Sequence, residues 1–600
     1  MRVSRPRRRK RQIRITYEAA PGEKVVITGA ERIQGWEKVE GTDGIWCVAI
    51  DNALFGDFNP YTTELFGDWI IYPCPCHVHL GDVYLNGHSL YEAMSLEDVK
   101  HPVMRTEGVG PDWEGVPEKV LEPENTLYQW YTEQRDGKTV IYARFGAADP
   151  NAENVEINVR GNCVRPDKLQ VNYITLRGFE ICQAATQWCP PTGVQSGMVD
   201  TRWSKGWVIE NNHLHDAKTS AISLGKEVST GDNECTRYRR KPGYQMQMEA
   251  VFKALKIGWS KELVGSHLVQ DNDIHDCGEN GVVGHLGCVF STIRRNRIYR
   301  IAKKYEFFGH EIAGIKLHTA IDVTIEENDF HDCALGIWLD WEAQGTRVSR
   351  NLFSDNTRDL MVEVTHGPCI VDNNIFASDY NFDNVAQGTA LINNYFGGTT
   401  RRIQTLDRAT PYHRPHSTDV AGVAVVYGGD DRVMNNIFVG GPMGPNGISV
   451  TGTAHYNGHP DNLAEYVKAA FDGMPEDHTV FWALKDPVYV KDNVYVKDAE
   501  HYERETPAAV TSFDPGLKIE RHDGKVTVSL DVSPEMLKDL SVIRSGELGV
   551  PRITECPFED KNGEEIVFDT GIDGVKRSAT AVAGPFGALK AGLNTVTLFN

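Results

Sequence analysis

The sequence predicts an all-β protein, a right-handed parallel β-helix (solenoid), and three observations lead there. An Asn followed two positions later by Ile, Leu or Phe recurs as Asn212-x-Leu214, Asn272-x-Ile274, Asn296-x-Ile298, Asn328-x-Phe330, Asn351-x-Phe353, Asn374-x-Phe376, Asn394-x-Phe396 and Asn436-x-Phe438. The steps from Asn328 to Asn351 and from Asn351 to Asn374 are both 23 residues. Short β-branched pieces precede the marker, among them Val208–Ile209, Thr324–Ile325, Val348 and Ile370–Val371. Fixed periods of about 20 to 30 residues indicate stacked coils, and the Leu-x-x-Leu-x-Leu frame of leucine-rich repeats is absent. Asn side chains stacked at one turn position can hydrogen-bond from coil to coil. Parallel crossovers are overwhelmingly right-handed, which sets the expected hand.

The remaining marker steps of 60, 24, 32, 20 and 42 residues read as single coils with inserted loops, one gap hiding an unmarked coil. Residues 1–50 are expected to give the first helix strands behind a basic arm (Arg2, Arg5, Arg7, Arg8, Arg9, Lys10, Arg11), read as a solvated tail. Residues 51–140 lack the marker and carry turn-rich alternating segments, such as His79–Leu80 with Asp82–Asn86 and Asn125–Gln129 with Thr139–Ala143. Short strands with turns at short spacing predict an inserted β-sandwich there. Residues 141–600 form the main helix, with helix-bearing loops near 226–262 (Glu249–Leu255) and 455–485 (Asn462–Phe471). The tail from about residue 515 reads as further strands and a closing segment.

Composition narrows the function. A net charge of −21 argues against nucleic acid and against acidic polymers. No apolar run reaches the roughly 18 residues of a membrane span. Met1–Arg11 lacks the apolar stretch of a secretory signal, and twelve Cys show no paired framework, so the chain reads as cytoplasmic.

Asp340 lies 12 residues after Asn328, and Glu363 lies 12 residues after Asn351, so both occupy one phase of successive coils. Aligning Ile315-Lys316-Leu317-His318, Ile337-Trp338-Leu339-Asp340 and Met361-Val362-Glu363 puts Lys316, His318, Trp338, Asp340, Met361 and Glu363 on the outward face. Neighbouring strands lie about 4.8 Å apart, so the two carboxylates should stand roughly 5 Å apart. That separation suits a retaining glycosidase and is too short for an inverting one. Like charges so close push their pKa values apart, as one acid and one nucleophile require. Trp338 offers a flat wall for a sugar ring, and Lys316 and His318 can bind hydroxyls and orient the nucleophile. His310 and Glu311 sit in the long loop that emerges beside this phase and read as rim residues of a pocket.

Other clusters have plainer readings. His215-Asp216, His275-Asp276 and His331-Asp332 recur after the marker and are read as hydrogen-bonded from coil to coil, not as a metal comb. Cys277 and Cys333 read as small packed residues. Cys74-Pro-Cys76 with His77 and His79 is half a metal motif without a second half, so no metal and no cofactor is expected. His413, His416 and Asp419 are loop residues that could touch the site.

Several runs resemble glycoside hydrolase family 120. They are His310-Glu-Ile-Ala-Gly-Ile-Lys-Leu-His318, Leu339-Asp-Trp-Glu-Ala-Gln-Gly-Thr-Arg-Val348 and Val362-Glu-Val-Thr-His-Gly-Pro368, with Gly67-Asp-Trp69, Gly81-Asp-Val-Tyr-Leu-Asn86, Trp203-Ser-Lys-Gly-Trp207 and Pro415-His-Ser-Thr418. The resemblance implies a retaining exo-acting β-xylosidase on a parallel β-helix, interrupted by an immunoglobulin-like domain and assembled as a homo-oligomer, a dimer or tetramer. It implies Asp340 as nucleophile, Glu363 as acid/base, His310 and Glu311 near the leaving-group subsite, and Trp69 from the inserted domain closing the pocket. The substrate would be a short β-1,4-linked xylo-oligosaccharide. Members also begin with an extra opening coil and a capping amphipathic helix, whereas this chain enters at Ile13-Arg-Ile-Thr-Tyr17. Arabinofuranose or glucose specificity, a β-helical lyase or epimerase, and a non-catalytic carbohydrate-binding protein are the alternatives.

Overall fold

Each coil turns on a residue in the left-handed region placed just before a ladder Asn. Asn211, Asp271, Arg295, Glu327, Arg350, Asn373, Asn393, Asn435 and Asp492 have φ between 50° and 59°. Asn, Asp and other polar residues adopt this conformation at modest cost in a tight turn. The structure, a computed structural model, describes residues 13–71, 78–111, 115–231, 240–472, 484–522, 524–578 and 580–599. The basic arm Met1–Arg11 and the Cys74-Pro-Cys76-His77 motif lie outside the described residues.

Behind each bend the Asn side chain is buried and fully used. Asn351 Nδ2 donates to Asn374 Oδ1 at 3.0 Å and to Ile325 O at 3.0 Å, and its backbone N–H donates to Asn374 Oδ1 at 2.8 Å. Its own Oδ1 accepts from the N–H and Nδ2 of Asn328, both at 3.0 Å. The pattern runs unbroken from Asn212 to Asn436 and continues through Asn493 to Glu505. Asn493 escaped the sequence marker because Tyr495 follows it where the other coils carry Ile, Leu or Phe. The residues two after the ladder Asn stack as Phe330, Phe353, Phe376, Phe396, Phe438 and Tyr495, with centroids 4.9 to 5.4 Å apart. Polar ladder and apolar stack thus share the strand spacing and lock coil to coil.

Three parallel sheets form the walls, of 11, 12 and 8 strands. A single coil shows the path: Thr346–Ser349 on the first wall, the Arg350–Asn351 bend, Leu352–Ser354 on the second, then Leu360–Glu363 on the third. Inward residues of all three walls, among them Ile315, Leu317, Ile337, Leu339 and Val362, make one continuous core.

Among the described residues, one coil precedes the insertion. Ile15–Glu18 pairs in parallel with Ile174–Arg177, and Val26–Thr28 pairs with Glu180–Cys182. Two sheets of five and four strands follow and share the core of Trp46, Trp130, Ile141, Val83 and Ile157, a β-sandwich. Its strands run from Ala30–Arg32 to Val155–Asn158, wider than the expected 51–140. The reason is long-range pairing, since Ile45–Asp51 runs antiparallel to Lys138–Arg144 and belongs with the insertion.

The loop helices are Gly243–Lys256 and Leu463–Phe471, the latter capped by the Asn462 side chain accepting from Glu465 N–H. The tail forms a three-stranded antiparallel sheet (Lys518–His522, Lys525–Val532, Gly592–Leu598) that packs on the outer side of the second wall. It is therefore a flank cover, not the closing segment expected. The His-Asp pairs meet the expectation in part. His215, His275 and His331 each bond the Asp that follows in the same coil, at 2.6, 2.7 and 2.9 Å. Between coils the rings stack through Tyr299, and coil-to-coil bonds occur at the middle pair, where His213 Nε2 lies 2.7 Å from His275 Nε2 and Arg300 Nε donates to Asp276 Oδ1 at 2.7 Å. Cys277 and Cys333 are buried in the core. Among the described residues no helix is long and apolar enough to cross a membrane.

Asn351→Ala removes one rung: the backbone N–H and one Nδ2 hydrogen of Asn328 lose their acceptor and Ile325 O loses a donor, while Asn374 Oδ1 keeps only the backbone N–H of residue 351. It should destabilise the protein by about 3 kcal/mol, from the cost of unsatisfied buried groups. Denaturant unfolding measures this, and a loss under about 1 kcal/mol would mean that water or relaxation replaces the rung.

Candidate active site

The third wall carries the site, and its register aligns the charged groups. His285, His318, Asp340 and Glu363 pair in one column, and Lys316, Trp338, Met361 and Asp383 in the column two residues before it. Each strand of the first column ends there, because Leu286, Thr319, Trp341 and Val364 take positive φ. A β-branched Val at φ 45° is strained, and such strain concentrates where a functional geometry is held by its surroundings.

The outward side is roofed over, so these groups are not a solvated face. Asp340 is 5% exposed, Glu363 6% and Lys316 0%. The roof has three parts: the helix Gly243–Lys256, the hairpin of Thr405–His413 and Val420–Val426, and the inserted domain. Ile70–Ile71 of the insertion pairs antiparallel with Phe308–Gly309, and His310 N–H donates to Trp69 O at 3.0 Å. That pairing delivers Trp69 beside His310 and Glu311. The Trp69 ring lies 5.9 Å from Tyr244, which stacks on Trp341 at 5.6 Å and 8°. Gly243 permits the contact, since a Cβ there would stand 2.6 Å from the Trp69 ring.

The two acids live in different surroundings. Asp340 Oδ2 accepts from Lys316 Nζ at 2.8 Å and lies 3.6 Å from His318 Nδ1, while its Oδ1 is buried without a hydrogen bond. Glu363 accepts from Trp338 Nε1 at 3.0 Å and from Arg408 Nη1 at 2.5 Å. Burial first, then the neighbouring Asp340 charge, raises the Glu363 carboxyl above its usual range, with Arg408 and Lys316 pulling the other way. Lys316 also rests 3.0 Å from the centre of the Trp338 ring. The Trp338 ring therefore carries an ammonium and holds Glu363, which is not the bare sugar wall expected of it.

A second row backs Asp340. Glu311 Oε2 is 2.9 Å from His318 Nε2 and 3.5 Å from Lys316 Nζ. Gln247 Nε2 approaches His318 Nδ1 at 3.2 Å, which assigns the hydrogen of the neutral ring to Nε2. Burial, with Lys316 and Lys226, holds His318 well below the histidine range. Burial, with Asp340 and Glu363, drives Glu311 well above the carboxylate range against Lys316. His310 is lowered by burial and by Lys316. Glu311, His318 and Asp340 have donor atoms within 4.8 Å of one another, but the Lys316 ammonium already stands among them and supplies the positive charge. The donor set therefore fits a cation poorly.

All the sequence-derived candidates, Asp340, Glu363, Trp338, Lys316, His318, His310, Glu311 and Trp69, meet in this region. Arg408, Gln247, Tyr244 and Trp341 were not anticipated. Trp341, directly after Asp340, was open to inspection; the other three come from loops without repeat phase. His413 and His416 are tied into the roof, to Glu342 at 2.9 Å and to Asp322 and Glu559 at 2.8 and 2.9 Å.

Known proteins fit this arrangement. Residues 33–157 match the description "Glycoside hydrolase 120, insertion domain", and residues 198–400 match "Right handed beta helix region". The solved complex of XylC with xylose is 49% identical, covering 97% of this chain and 90% of that one, with a TM-score of 0.93. A structure named only glycoside hydrolase is 11% identical over 63% of this chain and 80% of its own, at a TM-score of 0.38. The catalytic unit of a thermostable GH87 alpha-1,3-glucanase from Streptomyces thermodiastaticus strain HF3-3 is 10% identical over 80% and 75%, at 0.22. These two are too distant to bear on the site. No curated protein matches the chain. The coil, the insertion and the roofed acid pair define a β-helical glycoside hydrolase. The chain belongs to glycoside hydrolase family 120.

Arg408 is the cation that opposes the rise of Glu363, so its loss should let Glu363 keep its proton to higher pH. In Arg408→Gln the carboxyl band of Glu363, identified against Glu363→Gln by difference infrared titration, should move up in midpoint. An unmoved midpoint would show that Arg408 does not set this proton.

Proposed function

We propose that the protein is a retaining β-xylosidase that removes xylose from the non-reducing end of short β-1,4-linked xylo-oligosaccharides. The observation that carries the reading is the in-register pairing of Asp340 with Glu363 on adjacent strands, which are about 4.8 Å apart. Carboxyl groups about 5 to 5.5 Å apart serve double displacement, whereas inversion needs room for a water between them. The xylose bound by the 49% identical XylC supports the choice of sugar.

In this mechanism Asp340 attacks the anomeric carbon. Lys316 holds one of its oxygens and leaves Oδ1 unengaged. Glu363, whose carboxyl burial and the Asp340 charge shift upward, donates its proton to the leaving oxygen. Once it has given its proton, the Arg408 and Trp338 bonds stabilise the carboxylate, which then activates the water that frees xylose. Trp338 acts here as a positioning residue for Glu363 and Lys316 as one for Asp340, while His318 holds Glu311 behind them. Trp69, Tyr244 and Trp341 form the aromatic rim of the pocket, and His310 with Glu311 lies on its leaving-group side. The described cysteines are free thiols, in keeping with a cytoplasmic enzyme acting on imported fragments. The reading also includes assembly as a homo-oligomer.

On an aryl β-xyloside, proton NMR should record β-xylose as the first product, and α-xylose would refute double displacement. Asp340→Ala should lose at least about 10³-fold in kcat, the scale of a lost nucleophile. Glu363→Ala should lose about 10²- to 10⁴-fold on poor leaving groups and far less on activated ones. Equal loss on both would remove Glu363 from the acid role.

A further inference from the structure

We propose that His213, Asp273 and His275 form a binding site for a divalent transition-metal ion, zinc foremost, clamping two successive coils on the second wall. The site is separate from the acid pair and independent of the sugar reading.

Register brings the three groups together. His213 lies on the strand His213–His215 and Asp273 and His275 on the next, Asp273–His275, with His213 paired to Asp273 and His215 to His275. Their side chains point outward together, since Leu214 and Ile274 between them are in the core. One ligand atom from each of the three lies within 4.8 Å of the others.

The imidazoles face each other through Nε2, 2.7 Å apart. Two protonated nitrogens cannot approach so closely, so at least one presents a lone pair to the gap. His275 is that one. Its Nδ1 lies 2.7 Å from Asp276 Oδ2, which takes the Nδ1 hydrogen and leaves Nε2 bare. A carboxylate behind the non-ligating nitrogen is the second layer that metal-binding histidines use to fix tautomer and ring direction. Asp273 completes the set: its Oδ1 is buried without a hydrogen bond, while Oδ2 faces Arg297 at 3.7 Å. His213 is exposed, and the hollow it shares with Glu180, Asp271 and Asp273 opens to solvent, so an ion can enter.

Two imidazoles and one carboxylate, with water in the fourth position, suit Zn²⁺, Co²⁺ or Ni²⁺ better than Ca²⁺ or Mg²⁺. Tetrahedral ligands at 2.0–2.1 Å from zinc stand about 3.3 Å apart, so the rings must open slightly. His213 would shift its hydrogen from Nε2 to Nδ1, and no net proton need leave. The 60-residue step from Asn212 to Asn272 is the longest between ladder neighbours on the main helix, so the ion would add a tie between two coils far apart in sequence.

The test is calorimetric titration of the chelator-treated protein with zinc chloride. Wild type should bind one zinc with a rise in thermal midpoint. His213→Ala should abolish binding, and Asp276→Asn, which touches no metal, should weaken it by about tenfold or more. His213→Ala should keep the wild-type midpoint without zinc, Asp276→Asn, which also loses the Arg300 ion pair, should be compared with and without zinc against its own midpoint, and both should keep full turnover of an aryl β-xyloside. No zinc binding by wild type, or binding that both variants retain because the ion sits at thiols or among Glu311, His318 and Asp340, would overturn the proposal.

Discussion

The Asn ladder is the interaction on which the rest of this structure depends. A parallel β-helix has no local device that fixes which residue of one coil lies over which residue of the next, and a slip of one residue would turn every outward group inward. The ladder removes that freedom because each buried Asn is bonded to the next coil through its backbone N–H and its Nδ2, and to the preceding coil through its Oδ1. In the coils of Asn328 and Asn351 the third-wall strand follows at the same count. Asp340 and Glu363, 12 residues beyond their respective Asn, are therefore held side by side by bonds on a different edge of the solenoid. A rigid scaffold of this kind suits catalysis, which is sensitive to displacements of about 1 Å.

What the coil does not provide, the insertions do. Repetition would leave the pair as two like charges on an open wall. The roof from Gly243–Lys256, the Thr405–Val426 hairpin and the inserted domain buries them, and burial separates their chemistry. Asp340 has an ammonium at 2.8 Å. Glu363 has a guanidinium too, yet burial and the adjacent Asp340 outweigh it and raise the carboxyl. Behind them burial raises the Glu311 carboxyl and lowers the His318 imidazole, so both are shifted toward their neutral forms around the Lys316 ammonium that holds Asp340. Two similar side chains thereby stand in different surroundings, as the proposed division into nucleophile and acid requires.

The legible part of the sequence was the part that repeats. Asn328, Asn351 and Asn374 fixed the coil, the alternation around Ile315 and Leu339 fixed inside and outside, and the acid pair followed. Asn493 was lost only because the aromatic after it is Tyr. The insertion was recognised but cut too short, because Ile45–Asp51 reads like a coil strand until its partner Lys138–Arg144 is known. Arg408, Gln247 and Tyr244 could not be read at all, since a residue in a hairpin or loop helix carries no phase relative to the coil. Trp338 was placed on the correct face, but its company there, the Lys316 ammonium and the Glu363 carboxylate, depends on side-chain directions that spacing does not set.

The most direct test of the account is to trap the covalent intermediate with an activated 2-deoxy-2-fluoro-β-xyloside and map the labelled peptide by mass spectrometry. Slow deglycosylation should leave one fluoroxylosyl group per chain, carried by Asp340. Label on Glu363 or Glu311, or inactivation without a covalent adduct, would contradict the assignment of the stacked pair.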